Sequence, residues 1–216
     1  MQHAGAASWR FAEGTDQLPS VALYVRDAAR LTPPADASMP PPLNPAVPGR
    51  VDVLDGRQRT AAGEQWLGWW HALLAHSVRG HRAIPDGADH RAWLRARADE
   101  GQGLFDPPQF DSFARRPELR AACHAVFDDA LRWTDAHLRG GAQFDHGLIR
   151  GVAEDVARAR AVDIGALDAC AVVVPVEGAW WRSFAPGAVV CSVTAASDPR
   201  VARTALTAAF ESGLDV

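Results

Sequence analysis

The fold is decided by residues 170–193, which read CAVVVPVEGAWWRSFAPGAVVCSV. Three runs rich in Val, Ala, Phe and Trp are separated there by Glu177-Gly178 and Pro186-Gly187, dipeptides that are typical of turns. The predicted strands are residues 170–174, 179–184 and 188–193. Short connections of this kind predict an antiparallel meander, whose apolar face other elements must cover.

Helices in residues 57–160 are predicted to provide that cover. Trp66, Trp70, Leu73 and Leu74 follow one another at i, i+4, i+7 and i+8, which places them on one face of a helix over 60–79. Apolar spacing and helix-starting residues predict the other helices, over 89–100, 117–138, 145–161 and from Asp198-Pro199 onward.

The first fifty residues follow a different pattern. Residues 21–26 alternate between apolar and other side chains, which predicts a strand that extends the sheet. Seven prolines between Pro33 and Pro48 predict an extended path, and we call residues 33–48 the strap. The P-x-x-P spacing inside the strap also suits docking into an aromatic groove, but composition alone specifies a stiff connector lying across the domain and not a partner.

The whole chain, residues 1–216, is therefore predicted to be one α+β domain. An antiparallel C-terminal sheet of three to four strands would pack against four to five helices, with the proline-rich strap at the N-terminal side. Composition divides the chain into an N-terminal part (1–50), a helical part (57–160) and a part with the meander and the last helix (166–216).

Composition excludes several classes of function. All 22 basic residues are Arg, so a phosphate-binding loop with Lys, a kinase-type Lys–Glu pair and a Lys Schiff base cannot form. A net charge of −4 gives no electrostatic signal for nucleic acid. The N-terminus lacks the pattern of a secretory signal, the chain holds no apolar run long enough to cross a bilayer, and three widely spaced Cys suit a reducing compartment. We expect a cytoplasmic protein.

One candidate site is a metal centre. His124 and Asp128 stand one helical turn apart on one face, and His76, at the border of the Trp-rich face, could supply a third ligand. A divalent metal held there would suit a metal-assisted hydrolase. The competing interpretation is an ordinary surface pair and a histidine bonded to a backbone carbonyl, and we prefer it because no recognised metal spacing links the segments.

A second candidate site surrounds the paired tryptophans Trp180 and Trp181. Successive side chains of a strand point to opposite faces, so one indole is predicted to face away from the core. Beside Arg182 and near Glu177, that indole would form an amphipathic surface of the kind that binds partners or flat ligands. The alternative is that a loop or the strap covers it.

The sequence thus favours a non-catalytic binding or protein-interaction domain over the hydrolase. Its partner would be a protein or a small molecule, with a second copy of the chain among the alternatives and with no role for nucleic acid or membrane. No cofactor is predicted for this function.

Overall fold

A four-stranded mixed sheet lies at the centre of the molecule. The computed structural model describes residues 9–14, 17–50, 52–81, 89–138 and 144–214. The strands are β1 (Arg10–Gly14), β2 (Asp168–Val174), β3 (Trp181–Ala185) and β4 (Ala188–Ser192). Their order across the sheet is β1-β2-β4-β3; β1, β2 and β4 run parallel, and β3 is antiparallel to β4.

Seven α-helices surround the sheet in the described part of the chain. They are α1 (Gln17–Ala28), α2 (Gly56–His81), α3 (His90–Leu104), α4 (Pro117–His137), α5 (His146–Arg160), α6 (Val193–Ser197) and α7 (Pro199–Gly213). Asp89, Asp145 and Asp198 cap three of them by accepting hydrogen bonds from backbone N–H groups of the first turn. The α+β class and the helices predicted from periodicity are confirmed, and none of the described helices has the length and apolarity needed to cross a bilayer.

The predicted strand at residues 21–26 is wrong, because these residues belong to α1. Val21, Ala22, Leu23 and Val25 are all at most 1% exposed, since α1 packs against both α2 and α4. A helix buried on every side shows no polar face, so its sequence does not display the 3.6-residue period. The strand that does extend the sheet is β1, which the alternation at 21–26 did not indicate.

The predicted antiparallel meander is also wrong in its pairing. β2 pairs with β4 in parallel, with Val172 opposite Val190, and β3 crosses to the far side of β4. Six of the seven residues of β2 are buried, as is usual for a central strand covered on both faces. The turn at Pro186-Gly187 is present, and Gly187 adopts the positive φ that the turn requires.

The two faces of the sheet support different cores. Val172, Val174 and Val190 face the main core, which α1, α2 and α4 close with large aromatic side chains. Their neighbours along the strands face a second core, which α5, α6 and α7 close mostly with Ala and Val. Both faces are therefore covered, whereas the prediction placed helices on one face.

The strap contacts α1 and the connection after β2, and a charged pair on α1 holds it, with Arg26 buried and Asp27 half-buried. Arg26 Nη1 donates to the carbonyl of Pro40 at 2.7 Å, and Nη2 donates to that of Pro41 at 2.8 Å. The carboxylate of Asp27 accepts from the backbone N–H of Leu43 at 2.7 Å, and the Leu43 side chain is fully buried. Each of these contacts satisfies a polar group that is buried or half-buried.

Candidate functional site

An open cleft of about 400 Å³ lies between α2 and the edge strand β3. Its lining comprises His71, Leu74, Ala75, Val78 and Arg79 from α2, with Phe184 and Ala185 from β3. The α2 residues recur at i, i+3, i+4, i+7 and i+8, so one helical face forms the whole of that wall. The floor is apolar, and the two polar lining residues, His71 and Arg79, stand two turns apart.

The end of the sheet explains why the cleft is open. β3 is the last strand, it has five residues, and its register with β4 shifts between Ser183 and Ala185. Such an irregularity re-aims side chains at a sheet edge. Phe184 is half-buried against the main core, so its ring forms a wall of the cleft and is still available to solvent.

One end of the cleft is joined to the strap through His71. The Nε2 atom of His71 lies 3.0 Å from Ser38 Oγ and 3.6 Å from Asp36 Oδ1. The Ser38 hydroxyl and backbone N–H both donate to Asp36, and these hydrogen bonds lower the pKa of the Asp36 carboxyl. Because the Ser38 hydroxyl donates to Asp36, its proton is not directed at His71.

This cluster has the residue types of a hydrolase triad but a different arrangement. In a triad the carboxylate orients the imidazole through the nitrogen that does not face the serine. Here Asp36 and Ser38 both approach the same nitrogen of His71. The cluster therefore fixes the strap against the rim of the cleft and does not prepare a nucleophile.

The other end of the cleft is joined to α3 through Arg79. Arg79 binds both carboxylate oxygens of Glu100, and His76 Nδ1 lies 3.2 Å from Glu100 Oε2. The hydrogen bond from Arg79 is the largest influence that lowers the pKa of Glu100. Arg79 uses Nε and Nη2 in this contact, so the N–H groups of Nη1 have no partner among the described residues.

The two indoles singled out in the sequence lie on opposite sides of the sheet. Trp180 is half-buried against the main core, and Trp181 is half-buried against the second core. Both faces carry helices, so neither indole stands alone in solvent.

The strap approaches the charged members of this predicted surface. Arg182 donates through Nε to the carbonyl of Ala37 at 3.2 Å and through Nη1 to that of Trp181 at 2.8 Å. The backbone N–H of Glu177, whose side chain is exposed, donates to the carbonyl of Pro42 at 2.9 Å. A binding role for Trp180, Trp181, Arg182 and Glu177 stays a prediction.

The residues of the predicted metal site are not brought together. His124 is exposed on α4 with its ring edge-on to Phe110, and the exposed Asp128 follows one turn later. His76 lies on α2, where Glu100 of α3 faces its Nδ1 atom. Within the described residues there is no group of three His, Cys, Asp or Glu side chains that could hold a metal ion.

Two further cavities are less suitable as ligand sites. A groove of about 430 Å³ lies between α1 and the strap, but its Arg26 and Asp27 are occupied in holding the strap. A pocket of about 170 Å³ beside Cys170 and Gly187 is too small for most organic ligands.

The residues that line the α2–β3 cleft were missed at the level of sequence. The spacing of His71, Leu74, Ala75 and Val78 places them on one helical face, but the same spacing is typical of a face that is fully buried. Only the position of β3 at the sheet edge leaves this face partly open. No protein-family model, no curated protein and no solved structure matches the chain.

Proposed function

We propose that this chain is a binding protein whose α2–β3 cleft takes a small amphipathic anion. The observation that carries the proposal is the pairing of an apolar floor with His71 and Arg79 at the rim. An apolar ring or chain would contact Leu74, Val78 and Phe184. An anionic group would then lie within reach of a cationic side chain.

The dimensions of the cleft support a small ligand. Sites for small molecules usually have volumes of about 300–1,000 Å³ and combine mostly apolar walls with a few polar groups that set orientation. The cleft, at about 400 Å³, falls within this range. The residues that line the cleft therefore suit a ligand with one apolar body and one charged end.

Arg79 is suited to the anionic end of such a ligand. A guanidinium has five N–H donors, and the contact with Glu100 leaves the Nη1 donors of Arg79 unused among the described residues. Glu100 also holds the side chain in place, which lowers the conformational entropy lost on binding.

A fluorescent aromatic sulfonate, 1-anilinonaphthalene-8-sulfonate, tests the proposal directly. It has an apolar body and one anionic group, and its emission rises when it leaves water. We expect saturable binding at one site. Ala75→Phe should fill the cleft and weaken binding by about tenfold or more, because a new ring there excludes the ligand from contact with the floor.

Matched variants separate the cleft from general effects. Ala96→Phe adds the same ring to an exposed position on α3 and should leave binding unchanged. Arg79→Gln should weaken binding several-fold, while Arg57→Gln, at an exposed position of α2 outside the cleft, should not. Equal binding by the wild type and Ala75→Phe, with both folded by circular dichroism, would refute the proposal.

A further inference from the structure

Helix α3 is poorly explained by the contacts it makes within the chain. None of its 15 residues is buried, although it is regular from His90 to Leu104 and capped by Asp89. A helix of this length has marginal stability on its own and usually depends on packing of an apolar face. It meets α2 through polar contacts, such as Arg97 Nη1 to the carbonyl of His76 at 2.9 Å and Glu100 to Arg79, and only Leu104, at its last turn, packs against the main core among its described aliphatic side chains.

The outer face of α3 combines one apolar side chain with two arginines. Arg91, Leu94, Arg95 and Ala98 stand at i, i+3, i+4 and i+7, and all four are exposed. Leu94 is 48% exposed, and it is the one large hydrophobic residue in the described part of the chain that is so open to solvent. These four residues form a continuous surface, which we call the α3 face.

The charge of the α3 face contrasts with that of the whole molecule. Residues 90–97 contain Arg91, Arg95 and Arg97 and no acidic residue, whereas the chain as a whole carries a net charge of −4. Neither Arg91 nor Arg95 has a carboxylate partner among the described residues, while many other arginines do. Arg97 is directed inward, over the ring of Trp93.

We propose that the α3 face docks an acidic amphipathic segment of a partner protein. Carboxylates of that segment would pair with Arg91 and Arg95, and an apolar side chain between them would cover Leu94. Arginines that flank a contact of this kind steer the partner and fix its register, and removal of an exposed Leu from water adds affinity.

Other occupants fit the α3 face less well. A helix that binds a membrane surface presents a broad apolar face, whereas here Leu94 stands without a second large apolar neighbour on the face. Nucleic acid needs many phosphate contacts, and Arg91 and Arg95 alone, on an acidic protein, do not supply them. In a second copy, the half-buried Glu154 of α5 and Glu211 of α7 already pair with arginines of their own chain.

The test measures binding of a fluorescein-labelled helical peptide made of repeated Glu-Ala-Leu-Glu units, by fluorescence anisotropy at low salt. We expect saturable binding that weakens as salt is added, because exposed charges are screened. The double variant Arg91→Gln/Arg95→Gln should bind about tenfold more weakly, and Leu94→Gln should also weaken binding. A matched control, Arg57→Gln/Arg115→Gln, removes the same charge from exposed positions elsewhere and should bind as the wild type does.

Each other outcome would overturn the proposal. Equal losses in both double variants would show that net charge alone attracts the peptide. Undiminished binding of the peptide with Gln in place of Glu would exclude charge pairing, and no binding at all would exclude the acidic segment. Tighter binding of anionic phospholipid vesicles or duplex DNA, lost in Arg91→Gln/Arg95→Gln, would assign the face to those occupants. A dimer in sedimentation that this variant abolishes would assign it to a second copy.

Discussion

The strap has no regular secondary structure but contains two buried residues, Pro40 and Leu43, whereas α3 is a regular helix with no buried residue. The strap is held by the Arg26–Asp27 pair and by the fully buried Leu43. α3 contacts α2 through Glu100, which Arg79 and His76 face, and Leu104 at its end is half-buried against the main core. Regular backbone and structural importance are therefore separate properties in this molecule.

The difference follows from where the backbone hydrogen bonds are made. A helix satisfies its own N–H and C=O groups, so α3 keeps its form while lying on the surface. An extended proline-rich segment cannot do so, and its carbonyls need donors from elsewhere. Arg26 and the connection after β2 supply these partners, which attaches the strap to the domain.

The largest effect is expected from breaking the Arg26–Asp27 pair that holds the strap. Arg26→Met should lower the free energy of unfolding by about 3–5 kcal/mol, because it leaves Asp27 and the carbonyls of Pro40 and Pro41 without their buried partner. The same change on the helix, Arg91→Met, should stay within about 0.5 kcal/mol. Urea denaturation measures both.

Similar losses in the two Arg→Met variants would contradict the comparison. So would a loss below about 1 kcal/mol for Arg26→Met, since this would mean that the strap is as loosely attached as an exposed loop. The two free energies can be compared only if the dependence of the unfolding free energy on urea concentration is the same in both variants.

A second pair of substitutions compares apolar contacts in the same two regions. Leu43→Ala should destabilise the protein by about 2–5 kcal/mol, because the side chain is fully buried against the main core. Leu94→Ala should change stability by less than about 0.5 kcal/mol, because the side chain is 48% exposed. Thermal unfolding with both variants checks this, and a lower melting temperature for Leu94→Ala than for Leu43→Ala would reverse the order.

Most of the helices could be predicted from the sequence. α2, α4, α5 and α7 have an apolar face toward the core and a polar face toward water, so their period could be read directly. Asp145 and Asp198 marked two of their starts. α1 was missed because it is enclosed, and enclosure removes the polar face on which the pattern depends.

The sheet and the cleft depend on information that local sequence does not contain. β2 pairs with β4 and not with β3, although the short connection through Glu177-Gly178 joins β2 to β3 along the chain. Parallel pairing of this kind is typical of sheets that helices cover on both faces. The cleft in turn exists because β3 ends the sheet beside His71 and Arg79. A candidate site that forms between a helix and a sheet edge can therefore be recognised only after the strand order is known.

The smallest effect concerns the contact that attaches α3 to α2. The Arg79 hydrogen bond lowers the pKa of Glu100 below its ordinary value of 4.5, so this contact is fully present above that value and is lost as the pH falls through the lowered pKa. Titration of the Glu100 carboxyl by NMR should show a midpoint below 4.5 in the wild type. Arg79→Gln should move the midpoint back toward 4.5. Arg95→Gln removes a charge from α3, the helix that carries Glu100, but Arg95 does not contact Glu100, so this variant should leave the midpoint nearly unchanged. A wild-type midpoint at or above 4.5 would mean that the Arg79–Glu100 contact does not attach α3 to α2. The comparison between the strap, held by Arg26, and α3, held by Arg79, would then fail.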